Sequence, residues 1–209
     1  KSRAQSLVEV AISFPILIIL FSGVIEFGFI LNYYLSLLDA TRESARLYSG
    51  GDMNDPSFFR TPCQADTFYC DTADNVRRIL DPSLGYADPT KYKGRRIVLD
   101  PAVDDVIVSV YGAAGTTVNL WRSQGAYHLF KSGSSNKTPG IVGGNYPSIF
   151  TANDIKNTRV SGAPNAGILV VEVHYNYHHV LGLPWMTAWL PNPLHLRAYT
   201  IMPIRAGEP

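Results

Sequence analysis

The chain opens with a long apolar run that carries a carboxylate near each end. No charged residue lies between Val10 and Ile25, and the apolar character resumes after Glu26 and continues to Leu31. These roughly 22 residues are enough to cross a hydrocarbon layer about 30 Å thick. Glu9 and Glu26 would lie about 25 Å apart on a helix axis, so each fits one headgroup level. The run therefore predicts a membrane-spanning helix.

The helical pattern continues beyond the apolar run. Residues 31–46 keep apolar and basic side chains at spacings of three and four, no proline follows Pro15 before Gly50-Gly51, and these two glycines supply a stop. The sequence predicts one helix of roughly 40 to 45 residues, membrane-compatible in its first half and amphipathic in its second. Because proline removes a backbone donor, we expect Pro15 to bend or locally melt the helix near residues 11–15.

Charge and composition narrow the classes of partner. The net charge is +1, with 18 basic and 17 acidic residues, so the chain has no field that would gather nucleic acid. Only 17% of residues are charged and 11% are aromatic, which favours extensive packing surface and contact with other subunits. Lys1 and Arg3 precede the apolar run, which favours a cytoplasmic N-terminus and places the rest of the chain outside.

The chain has two cysteines, Cys63 and Cys70. No second pair of Cys or His lies nearby in sequence, so a zinc site is not indicated. If this part of the chain is outside the cytoplasm, a disulfide that closes the short loop between Cys63 and Cys70 is the natural interpretation. The alternative is two reduced cysteines, one or both of them buried.

After the glycine pair the sequence shifts to turns and β-formers. A short helix is predicted over 71–80, capped by Asp71 or Thr72 and ending before Asp81-Pro82. Strands are predicted at 95–100, 104–112, 116–122, 126–133, 167–180 and 194–204. A long exposed loop is expected between 132 and 164, where Gly, Ser, Asn and Pro are frequent. The predicted fold class is α+β: a long N-terminal helix (domain 1–50) packed by its C-terminal half on an antiparallel sheet (domain 51–209).

Signals for chemistry are weak. One face of the predicted strand 167–180 carries Glu172, His174, Asn176 and His178, and its other face carries Val171, Val173, Tyr175 and Tyr177. A metal could use two or three of the first set, but exposed polar side chains explain them equally well, and the second set is expected in the core. Acidic residues at 52–55 and 100–105 fit turns better than calcium loops. No catalytic nucleophile, phosphate-binding or dinucleotide motif occurs. We expect neither an enzyme nor a bound metal or cofactor.

Three motifs follow one another near the N-terminus. They are Gln5-Ser6-Leu7-Val8-Glu9, Glu26-Phe27-Gly28, and the heptad ATRESAR at 40–46. This ordered set resembles the N-terminal signature of TadE-like proteins, pilins and pseudopilins of tight adherence (Tad or Flp) type IV pili. The valine-rich strand, proline-containing connection and last strand at the C-terminus also resemble that family.

The resemblance implies a function. It implies an inner-membrane precursor, trimmed by a prepilin peptidase at a cut such as that before Gln5. Inner-membrane assembly machinery would then extract the subunit into an extracellular filament that supports surface attachment, with the bundled N-terminal helices as its core. In that core Glu9 would pair with a cation of a neighbour, its N-terminal ammonium or Lys1 or Arg3.

The residues assigned to subunit assembly are Glu9, Lys1, Arg3, Pro15, Glu26, Phe27 and Gly28. Two alternatives stay open. The chain could be a membrane-anchored extracellular binding protein that does not polymerise, or, less in keeping with its motifs, an extracytoplasmic enzyme on an anchor.

Overall fold

The computed structural model describes residues 2–50, 67–114, 117–121, 125–130, 144–158 and 166–204. Its helices are α1 (Ser2–Ser49), α2 (Thr67–Leu80), α3 (Ala152–Thr158) and α4 (Pro184–Thr187), with two 3₁₀ turns at Pro82–Gly85 and Pro89–Lys91. Its strands are β1 (Asp105–Ala114), β2 (Thr117–Leu120), β3 (Tyr127–His128), β4 (Ala166–Tyr177) and β5 (Leu194–Ile204). The predicted α+β class, a long N-terminal helix with an antiparallel sheet, is confirmed.

The helix α1 is 48 residues long, slightly longer than predicted, and it ends one residue before Gly50, as predicted. It stays helical through 11–15, so Pro15 does not melt it. Proline at this position removes one backbone donor, and the helical bonds on either side are enough to continue the element. The buried side chains of its second half include Leu37, Ala40 and Tyr48.

The sheet runs in the order β2-β1-β4-β5, and β3 also pairs with β1. β1 and β4 are antiparallel, in a register that runs from Asp105 opposite His174 to Ala113 opposite Ala166. β2 pairs with the C-terminal end of β1, and β3 pairs with Ile107 and Val108 nearer its start. The long central pair β1 and β4 therefore carries the core of the sheet.

The sheet is buried on both faces. One face of β1 presents Val106, Val108 and Val110, all fully buried, on the side where Tyr127 of β3 stacks on Tyr69 of α2. On the other face, Tyr111, Ala113 and Val170 form an apolar cluster with Ile155 of α3, and Phe150 packs beside it. Residues 144–158 thus cover the sheet, so the prediction of a long exposed loop is wrong for this part of 132–164.

This cover also corrects the prediction for the polar face of β4. Glu172 and His174 are buried and not exposed. The Glu172 carboxylate accepts hydrogen bonds from the Ser148 hydroxyl and from the Ile149 N–H, and the ring of Tyr146 stacks on His174. The core assignment of the opposite face is confirmed for Val171, Val173 and Tyr177, and Tyr175 is half-buried.

Several element bounds differ from the predicted ones: β3 covers only Tyr127–His128 of the predicted 126–133, and β4 ends at Tyr177 instead of Val180. α2 begins at Thr67, so the predicted caps Asp71 and Thr72 lie inside the helix; both are buried, and the Thr72 hydroxyl donates to the Phe68 carbonyl. Residues 95–100 form no strand, although one was predicted there. Ile97 and Leu99 are buried, and the residues on either side of them are exposed. The Ile97 N–H, however, bonds to the carbonyl of Leu80, at the end of α2.

Contacts divide the described chain into two units: Lys1–Leu35 with Asn176–Leu196, and Ser36–Tyr175 with Arg197–Pro209. The predicted domain boundary between residues 50 and 51 stays a prediction. Cys70 is buried in α2, whereas its predicted partner Cys63 lies outside the described residues, so the disulfide also stays a prediction.

Candidate functional site: the apolar half of α1 and the Glu26 carboxylate

From Leu7 to Phe21, α1 is exposed around its whole circumference, and we call this stretch the exposed half of α1. Every residue from Leu7 to Phe21 is exposed, including Phe14 at 61% and Phe21 at 65%. Among the described residues this is the one helix long and apolar enough to cross a membrane, with Leu7–Ser49 as the candidate span. An apolar surface of this extent is not stable in water, so it indicates membrane anchoring.

Glu26 lies just after this exposed stretch, and its side chain is buried at 1% exposure. Its carboxylate accepts three hydrogen bonds from its own chain. The Tyr177 hydroxyl donates to Oε1 at 2.7 Å, the Val180 N–H donates to Oε1 at 3.0 Å, and the Leu181 N–H donates to Oε2 at 3.0 Å. A side chain that accepts three bonds and donates none is arranged as an ionised carboxylate.

Tyr177 is held as a donor by its surroundings. Burial, followed by the hydrogen bond to the Glu26 carboxylate, raises the pKa of the Tyr177 phenol well above its ordinary value. The phenol therefore keeps its proton at any physiological pH. Its ring packs edge-on against Tyr33 of α1, with 5.0 Å between the ring centroids. A second turn of the helix thus fixes the donor in place.

Residues 4–46 match the family model for a TadE-like protein. The resemblance drawn from the three motifs is confirmed over this segment, which we call the TadE-like segment. The comparison with curated proteins gives no significant match. The comparison with solved structures gives none either.

The donors to Glu26 lie where β4 passes into its connection to β5, residues 178–193. One helical turn before Glu26, Ser22 accepts a hydrogen bond from the Trp185 indole N–H at 3.2 Å. Gly182 has a φ of +54°, a left-handed conformation that follows directly after the Leu181 amide and favours glycine. The TadE-like segment is therefore held by this connection at two successive turns, through Ser22 and Glu26.

His179 lies beside the Glu26 carboxylate and contacts the end of the connection between β4 and β5. Its Nε2 lies 3.0 Å from the Pro191 carbonyl oxygen, and its backbone N–H donates to the side-chain oxygen of Asn192 at 3.3 Å. Its Nδ1 lies 3.8 Å from Glu26 Oε1, too far for a hydrogen bond. The histidine thus ties the end of the connection to its beginning, beside the carboxylate.

The arrangement holds a carboxylate and positions a helix. Tyr177 and the two amides all donate to Glu26, and among the described residues around this carboxylate no nucleophile is paired with a free base. Within the described ranges no group of three or more His, Cys, Asp or Glu residues could hold a metal ion. The expectation that the chain is not an enzyme stays a prediction.

The structure separates the residues assigned to subunit assembly. Glu9, Phe27 and Gly28 are exposed, and a Cβ added at Gly28 would meet no atom within 4 Å. Glu26, which was predicted to take part in subunit assembly, accepts its hydrogen bonds from its own chain. Pro15 lies in the exposed stretch. Lys1 and the Arg3 side chain lie outside what the structure describes.

Sequence reasoning missed the partners of Glu26. The hydroxyl donor stands 151 residues away along the chain, and the two amides stand 154 and 155 residues away. No local pattern encodes such a contact. One signal was available, since the sequence contains no Asp, Glu, Lys or Arg between Glu172 and Arg197, a stretch suited to packing on an apolar helix.

Proposed function

We propose that this chain is a structural subunit, major or minor, of a Tad-like type IV pilus, and that it polymerises through the exposed half of α1. It would reside in the inner membrane as a precursor, be trimmed by a prepilin peptidase, and be transferred by assembly machinery into an extracellular filament that supports attachment to surfaces. It would act as a structural protein without enzymatic activity or cofactor.

The observation that carries the proposal is the exposed apolar surface from Leu7 to Phe21, inside the TadE-like segment. Lipid covers such a surface in a membrane, and copies of the same helix can cover it in a filament. If each helix buries about 1,000 Å² against its neighbours, the gross gain is about 25 kcal/mol. Ordering costs and the loss of lipid contacts reduce that gain heavily, so the net free-energy difference between membrane and filament is much smaller than the gross gain.

The Glu26 site supports this transfer between environments. The Glu26 carboxylate keeps its hydrogen bonds when the subunit moves from membrane to filament, because all three donors belong to the same chain. Between residues 7 and 25 the only remaining ionisable side chain is Glu9. A filament core built from this helix therefore has one carboxylate to neutralise per subunit, and a cation from an adjacent subunit would set the register between helices.

Shearing and electron microscopy test the proposal. Cells that make the protein should release filaments on shearing, and mass spectrometry of those filaments should identify this chain. Phe14→Ala removes exposed apolar area from α1 and should lower the filament yield without lowering the amount in the membrane. Tyr86→Ala is the matched control, because Tyr86 is also exposed, at 53%, but lies outside the helix. It should change neither quantity.

A membrane-anchored binding protein that does not polymerise is the second candidate. The observation that favours it is that Glu26 is satisfied without a second copy of the chain. The same fractionation separates the two functions. A protein found only in detergent-extracted membranes, and never in sheared filaments, would be a lone anchor, and the pilus proposal would fail.

A further inference from the structure

We propose that the connection between β4 and β5, from Val180 to Leu190, is a membrane-contacting loop that lies in the interfacial layer of the bilayer spanned by α1. This inference rests on membrane insertion of α1 and does not require polymerisation. The partner of this loop is lipid, at the boundary between the headgroups and the acyl chains.

The depth of the loop follows from its contacts with α1. With Glu9 and Glu26 at the two headgroup levels, Ser22 lies about 6 Å inside the level of Glu26, because four residues rise by that much along a helix. Trp185 donates its indole N–H to Ser22, so its ring reaches this depth. Interfacial elements bury their apolar faces about 5 to 10 Å into the same boundary. The loop therefore cannot stay in water while α1 spans the membrane.

The side chains of the loop fit that position. Between Val180 and Leu190 the sequence has no ionisable residue. Large apolar side chains point outward, with Val180 exposed at 52%, Trp189 at 88% and Leu190 at 40%. Trp185 and Trp189 are of the type that concentrates at membrane interfaces, where an aromatic ring meets lipid and an N–H meets a polar partner.

Backbone amides of the loop have hydrogen-bond partners within the chain, as a layer with little water requires. A polar group of the main chain at membrane depth is costly unless it has an internal partner. The amides of Val180 and Leu181 donate to Glu26. The amides that donate to carbonyls within the loop are those of Met186, Thr187, Ala188, Trp189 and Leu190. Pro184 and Pro191 have no N–H at all. Such satisfaction of donors is not needed in an exposed loop in water.

Tryptophan quenching in vesicles tests this position. The full chain is inserted, at a low ratio of protein to lipid, into phosphatidylcholine vesicles whose acyl chains carry bromine either near the headgroup or near the methyl end. In the variant Trp121→Phe, the remaining emission comes from Trp185 and Trp189 of the loop. The difference between this variant and the double variant Trp121→Phe with Trp189→Phe gives the emission of Trp189. A chain with Trp185→Phe and Trp189→Phe keeps Trp121 as a reference that the proposal does not place in lipid.

The expected result is that the Trp189 share of the emission is mostly lost with bromine near the headgroup, is affected less by bromine at the methyl end, and resists iodide added to the water. Quenching by iodide and not by either lipid would overturn the proposal. Protection from both quenchers would overturn it too, since a second copy of the chain would then cover the loop. A chain that fails to insert would refute membrane anchoring itself, whereas an inserted chain with Trp189 in water refutes only the loop.

Discussion

The substitution Glu26→Gln tests the internal site of α1 most sharply. Glutamine has the size of glutamate but replaces one acceptor oxygen with an NH₂ donor. If the NH₂ takes the Oε2 position, the Leu181 N–H loses its acceptor and faces another donor. If it takes the Oε1 position, Tyr177 and Val180 lose theirs, although the Tyr177 hydroxyl can rotate away. The first orientation costs less, so we expect the Leu181 N–H to be the donor that loses its acceptor.

The magnitude follows from that single lost acceptor. A buried donor left without a partner costs about 1 to 3 kcal/mol. If that cost appears as easier local opening of the connection, amide exchange at Leu181 should become roughly 5 to 150 times faster. Tyr177→Phe should have a smaller effect, because the carboxylate keeps both backbone donors when the phenol is removed.

Hydrogen exchange followed by mass spectrometry measures this effect on the full chain in detergent or in a lipid disc. Peptides that cover 178–190 should exchange faster in Glu26→Gln. The matched control is Glu43→Gln, the same change on the same helix, at an exposed residue whose partner is Arg46 at 2.8 Å. It should leave 178–190 unchanged. Equal exchange in the wild type and in Glu26→Gln would refute the assignment of the carboxylate as acceptor for these amides.

Three further predictions concern other parts of the chain. Glu9→Ala should leave membrane insertion intact and lower the yield of sheared filaments, because its cationic partner exists only between subunits; wild-type piliation would count against that pairing. Hydrogen bonds from the Thr151 hydroxyl and N–H lower the pKa of Asp154. Stabilisation at the start of α3 should therefore persist above an ordinary carboxyl pKa of about 4 and disappear as the pH falls through the lowered value, so exchange of Asp154→Asn and wild type should differ at neutral pH and converge in acid. Non-reducing peptide mapping should show Cys63 linked to Cys70, and free thiols at both would exclude the ring.

The long elements were predictable because their signals are strong and local. α1 follows from an apolar run joined to an amphipathic pattern and closed by Gly50, and its end agrees with the structure. β1 and β4 follow from valine-rich alternation. Periodicity reports which side chains are buried, however, and not where the backbone bonds. Residues 95–100 show this, since Ile97 and Leu99 are buried on a segment that forms no strand.

The misplaced features depend on contacts that are remote in sequence or that compete with local preference. Thr72 is a good helix cap by type, but α2 begins earlier, at Thr67, and inside it the Thr72 hydroxyl bonds back to the Phe68 carbonyl. Glu172 was expected in water, and it is buried because the segment around Ser148 and Ile149 brings donors to it. Glu26 is likewise buried beside donors from another segment, which lies farther away in the sequence. Buried carboxylates find their donors through tertiary structure, which a single sequence does not reveal.

The central claim is that the exposed half of α1 is covered by lipid in the precursor and by copies of itself in the filament. A photo-crosslinkable phenylalanine analogue in place of Phe14 tests it directly, in the membrane fraction and in sheared material separately. The account predicts crosslinks from position 14 to lipid in the membrane, and to α1 of another subunit in the sheared fraction. Crosslinks to lipid alone in every fraction would contradict it.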